Sequence, residues 1–275
     1  MVSAFKSTVF IVFIFSFGLA QDISFTKYDG MINAFILTIL AGLSTLIGGA
    51  IIFFIKKPKL SYLSLGMGFA AGVMIFISLT ELLGESIENI GYNYAIISFF
   101  VGILIIYLID ILIPHSYEAE NPPCKKKELE RCGRLVAVGI TIHNIPEGMI
   151  VLFSSIVDIR LGLIVAIAIA IHNIPEGIAI AMPIYYATGN KIKAFSYAAF
   201  SGIAEPIGAI IAYLFLMNFL NVFILNIILA AVAGIMVFIS FDELLPNALK
   251  YEKHHITIAG VFIGMAVMAV SLAVI

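Results

Sequence analysis

His143-Asn144-Ile145-Pro146-Glu147-Gly148 recurs 29 residues later as His172-Asn173-Ile174-Pro175-Glu176-Gly177, and each copy is embedded in an apolar run. In a helix, residues four apart share a face. Each copy therefore directs an imidazole nitrogen and a carboxylate oxygen to one point, which is half of a site for a divalent metal. Ionisable groups are costly in hydrocarbon, where they face a bundle interior and mark an ion path.

Working outward, 62% of the 275 residues are hydrophobic and 12% are charged, against about 25% charged in an ordinary soluble domain. Mean hydropathy is +1.12. The runs are too long for barrel strands, which alternate and span about ten residues. The expected fold is an all-α integral membrane protein in contact with membrane lipids. A net charge of -2 gives no reason to expect a nucleic-acid partner. Cys124 and Cys132, the only cysteines, sit beside a lysine cluster and read as free thiols rather than a disulfide framework.

Residues 1–20 carry Lys6, an apolar run from Val9 to Phe17 and a small-residue end at Gly18-Leu19-Ala20, the pattern of a cleaved signal peptide. Residues 21–30 then form a short extracytosolic segment. Eight apolar segments follow within residues 31–275, near 31–55, 60–84, 92–113, 134–157, 160–186, 191–217, 222–249 and 255–275. With the amino terminus outside, the connections between segments 1 and 2, 3 and 4, 5 and 6, and 7 and 8 are cytosolic. They hold twelve Lys and Arg residues, against Lys27 and Arg160 opposite, as the positive-inside rule demands. Both termini should be extracytosolic, which suits a multi-pass protein of the plasma membrane or another secretory-pathway membrane. The longest connection, residues 114–133, has Pro122-Pro123, mixed charge and no apolar periodicity. It reads as a flexible cytosolic loop. His115, Cys124 and Cys132 there do not have the spacing of a zinc module, and His254 and His255 read as solvated surface.

Gly72–Leu83 aligns with Gly234–Leu245 at a shift of 162, with eight of twelve positions identical. In this topology the two segments run in opposite directions, as do the two hexapeptide segments. Inverted repeats in a 3+2+3 arrangement, with a binding site at their midplane interface, are a transporter pattern.

Seven carboxylates fall within the spans: Glu81, Asp110, Glu147, Glu176, Glu205, Asp242 and Glu243. At about 1.5 Å per residue, Glu147, Glu176 and Glu205 share the central depth with His143 and His172, whereas the other four lie nearer helix ends. No Lys or Arg lies at the central depth, so cations must supply the missing charge. Asn144 and Asn173 add amide oxygens. Pro146, Pro175 and Pro206 lack N–H groups and free the carbonyls of Ile142, Ile171 and Gly202 to line a polar seam. Imidazole with carboxylate and amide oxygen suits Zn, Fe(II), Co or Mn and disfavours Cu(I). Met74 could add a sulfur, although a lone methionine in an apolar helix more often packs.

The paired hexapeptides, Gly202-Ile203-Ala204-Glu205-Pro206 and the eight-span layout resemble the ZIP family of divalent metal transporters over residues 31–275. Gly68–Met74 and Asp242-Glu243-Leu244-Leu245-Pro246 resemble its bacterial ZupT-type branch. The resemblance implies a binuclear centre and movement of metal toward the cytosol by sliding of one helix bundle against another. One site would use His143, Glu147, His172, Glu176 and Met74, the other Asn144, Glu147, Asn173, Glu176 and Glu205. Two features depart from the family. The loop lacks a His-rich tract, and the second hexapeptide is not the two-His version of the vertebrate zinc importers, so strict zinc selectivity is not implied. The signal peptide is unlike bacterial relatives and points to a eukaryotic secretory route.

The expected function is divalent transition-metal transport, with Zn, Fe, Mn or Co as substrate and no catalytic cofactor. Homodimer formation is left open. The alternative is an intramembrane metal-dependent hydrolase. It would call for His-Glu-x-x-His with a free glutamate base, whereas the order here is His-x-x-x-Glu.

Overall fold

The computed structural model describes residues 29–56, 59–112, 122–216, 222–250 and 254–274. Residues 1–28 and His115 lie outside the described residues, as does the side chain of Cys124. Among the described residues, eight helices are long and apolar enough to cross a membrane: α1 (Met31–Phe54), α2 (Leu60–Ile90), α3 (Tyr92–Leu112), α4 (Lys126–Ile156), α5 (Gly162–Thr188), α6 (Lys191–Phe215), α7 (Val222–Leu249) and α8 (His254–Val274). No strand occurs among the described residues.

Apolar length sets most boundaries, and two depart from the sequence reading. α2 continues past residue 84 to Ile90, because Leu83, Ser86 and Ile90 keep a buried face while Glu88 is exposed. It stops at Gly91, whose φ of 83° is in a region that glycine reaches without strain. The larger correction concerns the connection expected to be a loop through Gly133. The helix of α4 begins at Pro122 and runs unbroken to Val157. The polar residues that hid it are its anchors. Arg131 donates to Asp110 of α3 and, at 2.7 Å, to Glu243 of α7. Lys193 binds Glu130 and Lys250 binds Glu128, while Leu129 and Cys132 are buried beneath them. Cys132 is a free thiol, as expected; His254 and His255 are exposed.

The helices form two packed groups. α1, α4, α5 and α6 pack on one another; α2 packs on α8 and α3 on α7, and the groups meet where α2 touches α5 and α4 touches α7. Within the groups, backbones approach through small residues, as membrane helices require without a hydrophobic drive between them. Tyr94 meets Phe223 edge-on and Tyr107 meets Phe238 in the same way, so α3 and α7 are parallel. Ser64 bonds the Ala248 carbonyl and Ser86 the Asn226 carbonyl, so α2 and α7 are antiparallel neighbours. Each carries a π-helical turn, Ser78–Leu82 and Ser240–Leu244, at matching places in the two segments aligned by sequence. The basic connections gather at one end: Lys191 reaches the carbonyls of Phe53 and Ile55, while Lys193 and Lys250 reach the start of α4.

Candidate metal centre

α4 and α5 are antiparallel, with Gly133 against Ile184 near one end and Gly162 against Ser155 near the other. This brings the two hexapeptides face to face at mid-helix, so that the His of each meets the Glu of the other. His143 Nε2 lies 2.8 Å from Glu147 Oε1 and 3.3 Å from Glu176 Oε1. His172 Nε2 lies 2.6 Å from Glu147 Oε1. The two imidazole centroids are 6.1 Å apart. One donor atom each from His143, His172 and Glu176 falls within 4.8 Å of the others. The helices remain continuous through Pro146, Pro175 and Pro206, so proline shapes the polar turns without ending them.

The asparagines face both ways. Asn144 Nδ2 donates to the Ser201 carbonyl of α6 at 3.0 Å, and Asn173 Nδ2 donates to the Ala41 carbonyl of α1 at 3.3 Å. Asn173 Nδ2 also donates to Glu205 Oε1, which brings the α6 carboxylate to the hexapeptide of α5. Because the amide N–H groups are turned to neighbouring carbonyls, both Oδ1 atoms are left as buried acceptors without donors. Close helix contact enforces this arrangement. A Cβ added to Gly148 would lie 1.9 Å from the Glu205 carbonyl oxygen, so only glycine permits α4 to meet α6 there.

What distinguishes the centre is a deficit of positive charge. His143, Asn144, Glu147, His172, Asn173, Glu176 and Glu205 are each at most 4% exposed. Glu147 Oε2, Glu176 Oε2, Glu205 Oε2 and the two Asn Oδ1 atoms have no hydrogen-bond partner, and Glu176 Oε1 has only the 3.3 Å approach of His143 Nε2. Among the described residues, no Lys or Arg forms an ion pair with these three glutamates. A buried polar atom without a partner costs about 1–3 kcal/mol, more when charged. These oxygens, with Glu147 and Glu176 against the two imidazoles, form a donor set of the kind that suits a borderline divalent cation.

Met74 is fully buried on α2, in the apolar cluster that holds Ile140 of α4 and Ala179 and Ile180 of α5, each one turn from a hexapeptide. Asp110 and Glu243 are gathered around Arg131 instead. Sequence reading missed Arg131 as a buried partner. The signal was present: a carboxylate at position 110 within a span needs a cation, and the start of α4 supplies the nearest basic run in the chain. It also missed the carbonyls of Ala41 and Ser201, which have no side-chain signature.

The family model described as ZIP Zinc transporter matches residues 127–272. The protein named Zinc transporter ZupT from Clostridium perfringens is 46% identical over 274 residues, covering 89% of this chain and 96% of the relative. Its namesake from Streptococcus mutans is 48% identical over 256 residues, covering 88% and 97%. That from Campylobacter jejuni is 45% identical over 282 aligned positions, covering 89% and 97%. The match extends over nearly the whole length of each relative and includes both hexapeptide helices, and on that basis this chain belongs to the ZIP family, in its ZupT-type branch.

Proposed function

We propose that this protein carries divalent transition-metal ions across a membrane, zinc among them, toward the cytosol, and that the ions pass through the centre between α4 and α5. The observation that carries the reading is the uncompensated donor set: three buried glutamates, two imidazoles and two amide oxygens at mid-helix, with no Lys or Arg paired to them among the described residues. Such a set is stable when a cation visits it. The ligand sets are those named from sequence, with Glu147 and Glu176 shared between two ions, His143, His172 and Met74 completing one site, and Asn144, Asn173 and Glu205 the other. The relatives are named zinc transporters, and the donors suit Fe(II), Mn and Co as well.

The chain is a transporter rather than an enzyme. A metal-dependent hydrolase has no support here, since its glutamate base would have to be spared from metal ligation. The antiparallel α2 and α7, their matching π-helical turns and the antiparallel α4 and α5 support inverted repeats. The clustered basic connections support placing that end in the cytosol. We propose in addition that residues 1–20 are a cleaved leader, which N-terminal sequencing of purified protein tests.

Metal uptake into liposomes that contain only this protein tests the function. The expected result is uptake of Zn²⁺ that competing Fe²⁺, Mn²⁺ or Co²⁺ reduces, in an order that gives the selectivity. Vesicles with folded protein and no flux of any of these ions, under either direction of gradient, would overturn the proposal.

A further inference from the structure

The contacts around the two hexapeptides pair off. Asn144 donates to the Ser201 carbonyl as Asn173 donates to the Ala41 carbonyl. A Cβ on Gly148 would strike the Glu205 carbonyl oxygen at 1.9 Å, and one on Gly177 would strike the Thr45 carbonyl oxygen at 2.0 Å. A Cβ on Gly208 would meet the Ile145 carbonyl oxygen at 2.1 Å, and one on Gly48 the Ile174 carbonyl oxygen at 1.9 Å. Every pair relates α6 to α1 by the same register and α4 to α5 by the hexapeptide register. The helices also cross reciprocally: Gly42 faces the Gly202 carbonyl, and Gly202 faces the Gly42 carbonyl. Laid in this register, Gly42-Leu43-Ser44-Thr45-Leu46-Ile47-Gly48 matches Gly202-Ile203-Ala204-Glu205-Pro206-Ile207-Gly208 at both glycines and the isoleucine.

In that correspondence the partner of Glu205 is Thr45. Thr45 is 0% exposed, and its Oγ1 has no hydrogen-bond partner. Its Cβ faces α6, 3.2 Å from where a Cβ on Gly202 would lie, one residue along the chain from Ser201, whose carbonyl holds Asn144. Glu205 reaches Asn173 and fills one flank of the centre; the opposite flank has the unpartnered Asn144 Oδ1 and the shorter Thr45 side chain. A threonine hydroxyl in an apolar helix ordinarily returns to a carbonyl of its own preceding turn, as Thr38 does to Ala34. Thr45 does not.

We propose that Thr45 is the α1 counterpart of Glu205, an oxygen donor on the second flank of the metal centre. Glutamate on α6 and threonine on α1 give the oxygen-rich end one carboxylate where two-fold symmetry would give two, so that the second flank adds a neutral oxygen and no charge. The inference rests on the metal-centre reading, and the test separates the two.

Equilibrium binding of Zn²⁺ alone to the purified full chain in detergent is compared for four variants. Glu205→Thr should weaken binding about 100-fold, and the exchange Thr45→Glu with Glu205→Thr should regain at least tenfold of that loss by returning the carboxylate on the opposite flank. Thr45→Val, which keeps shape and removes the hydroxyl, should weaken binding about tenfold, while Thr45→Ser keeps wild-type affinity. Wild-type binding by Glu205→Thr would refute the metal centre itself. If Glu205→Thr is impaired but Thr45→Val binds as wild type, or the folded exchange variant binds no better than Glu205→Thr, the assignment of Thr45 is wrong. Should the exchange variant not fold, the Val and Ser pair decides.

Discussion

Carboxylates are buried at two levels of this molecule and compensated in opposite ways. At the end where the basic connections gather, Asp110 and Glu243 share the guanidinium of Arg131, which ties α4 to α3 and α7. At mid-helix, Glu147 and Glu176 lie against two imidazoles and Glu205 accepts from the Asn173 amide, and several of their oxygens have no partner. By proximity alone the two clusters look alike, since Asp110, Asp242 and Glu243 also converge closely enough to hold an ion. What separates them is charge. An arginine supplied by the chain makes the first a structural tie between helix groups, whereas no Lys or Arg among the described residues pairs with the second, and the proposed metal path rests on that difference.

Substitutions should divide accordingly. The largest effect is expected at the centre. Glu176→Ala removes a ligand from both proposed ions and should reduce liposome uptake at least about 100-fold, with gel filtration and helix content unchanged. Wild-type flux in this variant would end the assignment. At the other level, Arg131→Leu takes the shared guanidinium from two buried carboxylates and should cost about 3–5 kcal/mol, read as a lowered unfolding temperature, while folded protein keeps its zinc stoichiometry. Adding Asp110→Asn and Glu243→Gln should recover most of that stability. Loss of zinc binding in folded Arg131→Leu would erase the distinction between the regions.

A smaller effect lies between these. Gly148→Ala forces α4 and α6 apart at the Glu205 carbonyl, an overpacking cost of about 1–3 kcal/mol, and should weaken zinc affinity less than Glu176→Ala does. Smallest is the response to pH. A ligating imidazole must be unprotonated, so protons compete with metal and affinity should fall as pH drops through the ordinary histidine range, near about 6.5. The paired change His143→Gln and His172→Gln should flatten that slope. A slope unchanged by removal of both imidazoles would count against histidine ligation.

That the two hexapeptides meet was legible in the sequence because its logic is local. A His and a Glu four apart declare a shared face, and a second copy in an antiparallel helix turns its own pair toward the first without knowledge of distant packing. The spans were legible for the same reason, since apolar length records the membrane directly. The start of α4 was not, because its helix is held by tertiary ion pairs: Arg131 with Asp110 and Glu243, Lys193 with Glu130, Lys250 with Glu128. A segment whose anchors lie on three other helices looks like a charged loop when read alone. Thr45 was invisible for another reason. A single threonine in an apolar helix has no pattern, and its relation to Glu205 appears only once the carbonyls of Ala41 and Ser201 are seen to take equivalent bonds.

Locating bound zinc directly, by anomalous diffraction from crystals of the full chain grown with Zn²⁺, tests the central claim. The expected result is metal between α4 and α5, about 2.0–2.2 Å from histidine nitrogens and glutamate oxygens of the two hexapeptides, and none beside Arg131. Zinc at Asp110, Asp242 and Glu243 with no density between the hexapeptides would contradict it.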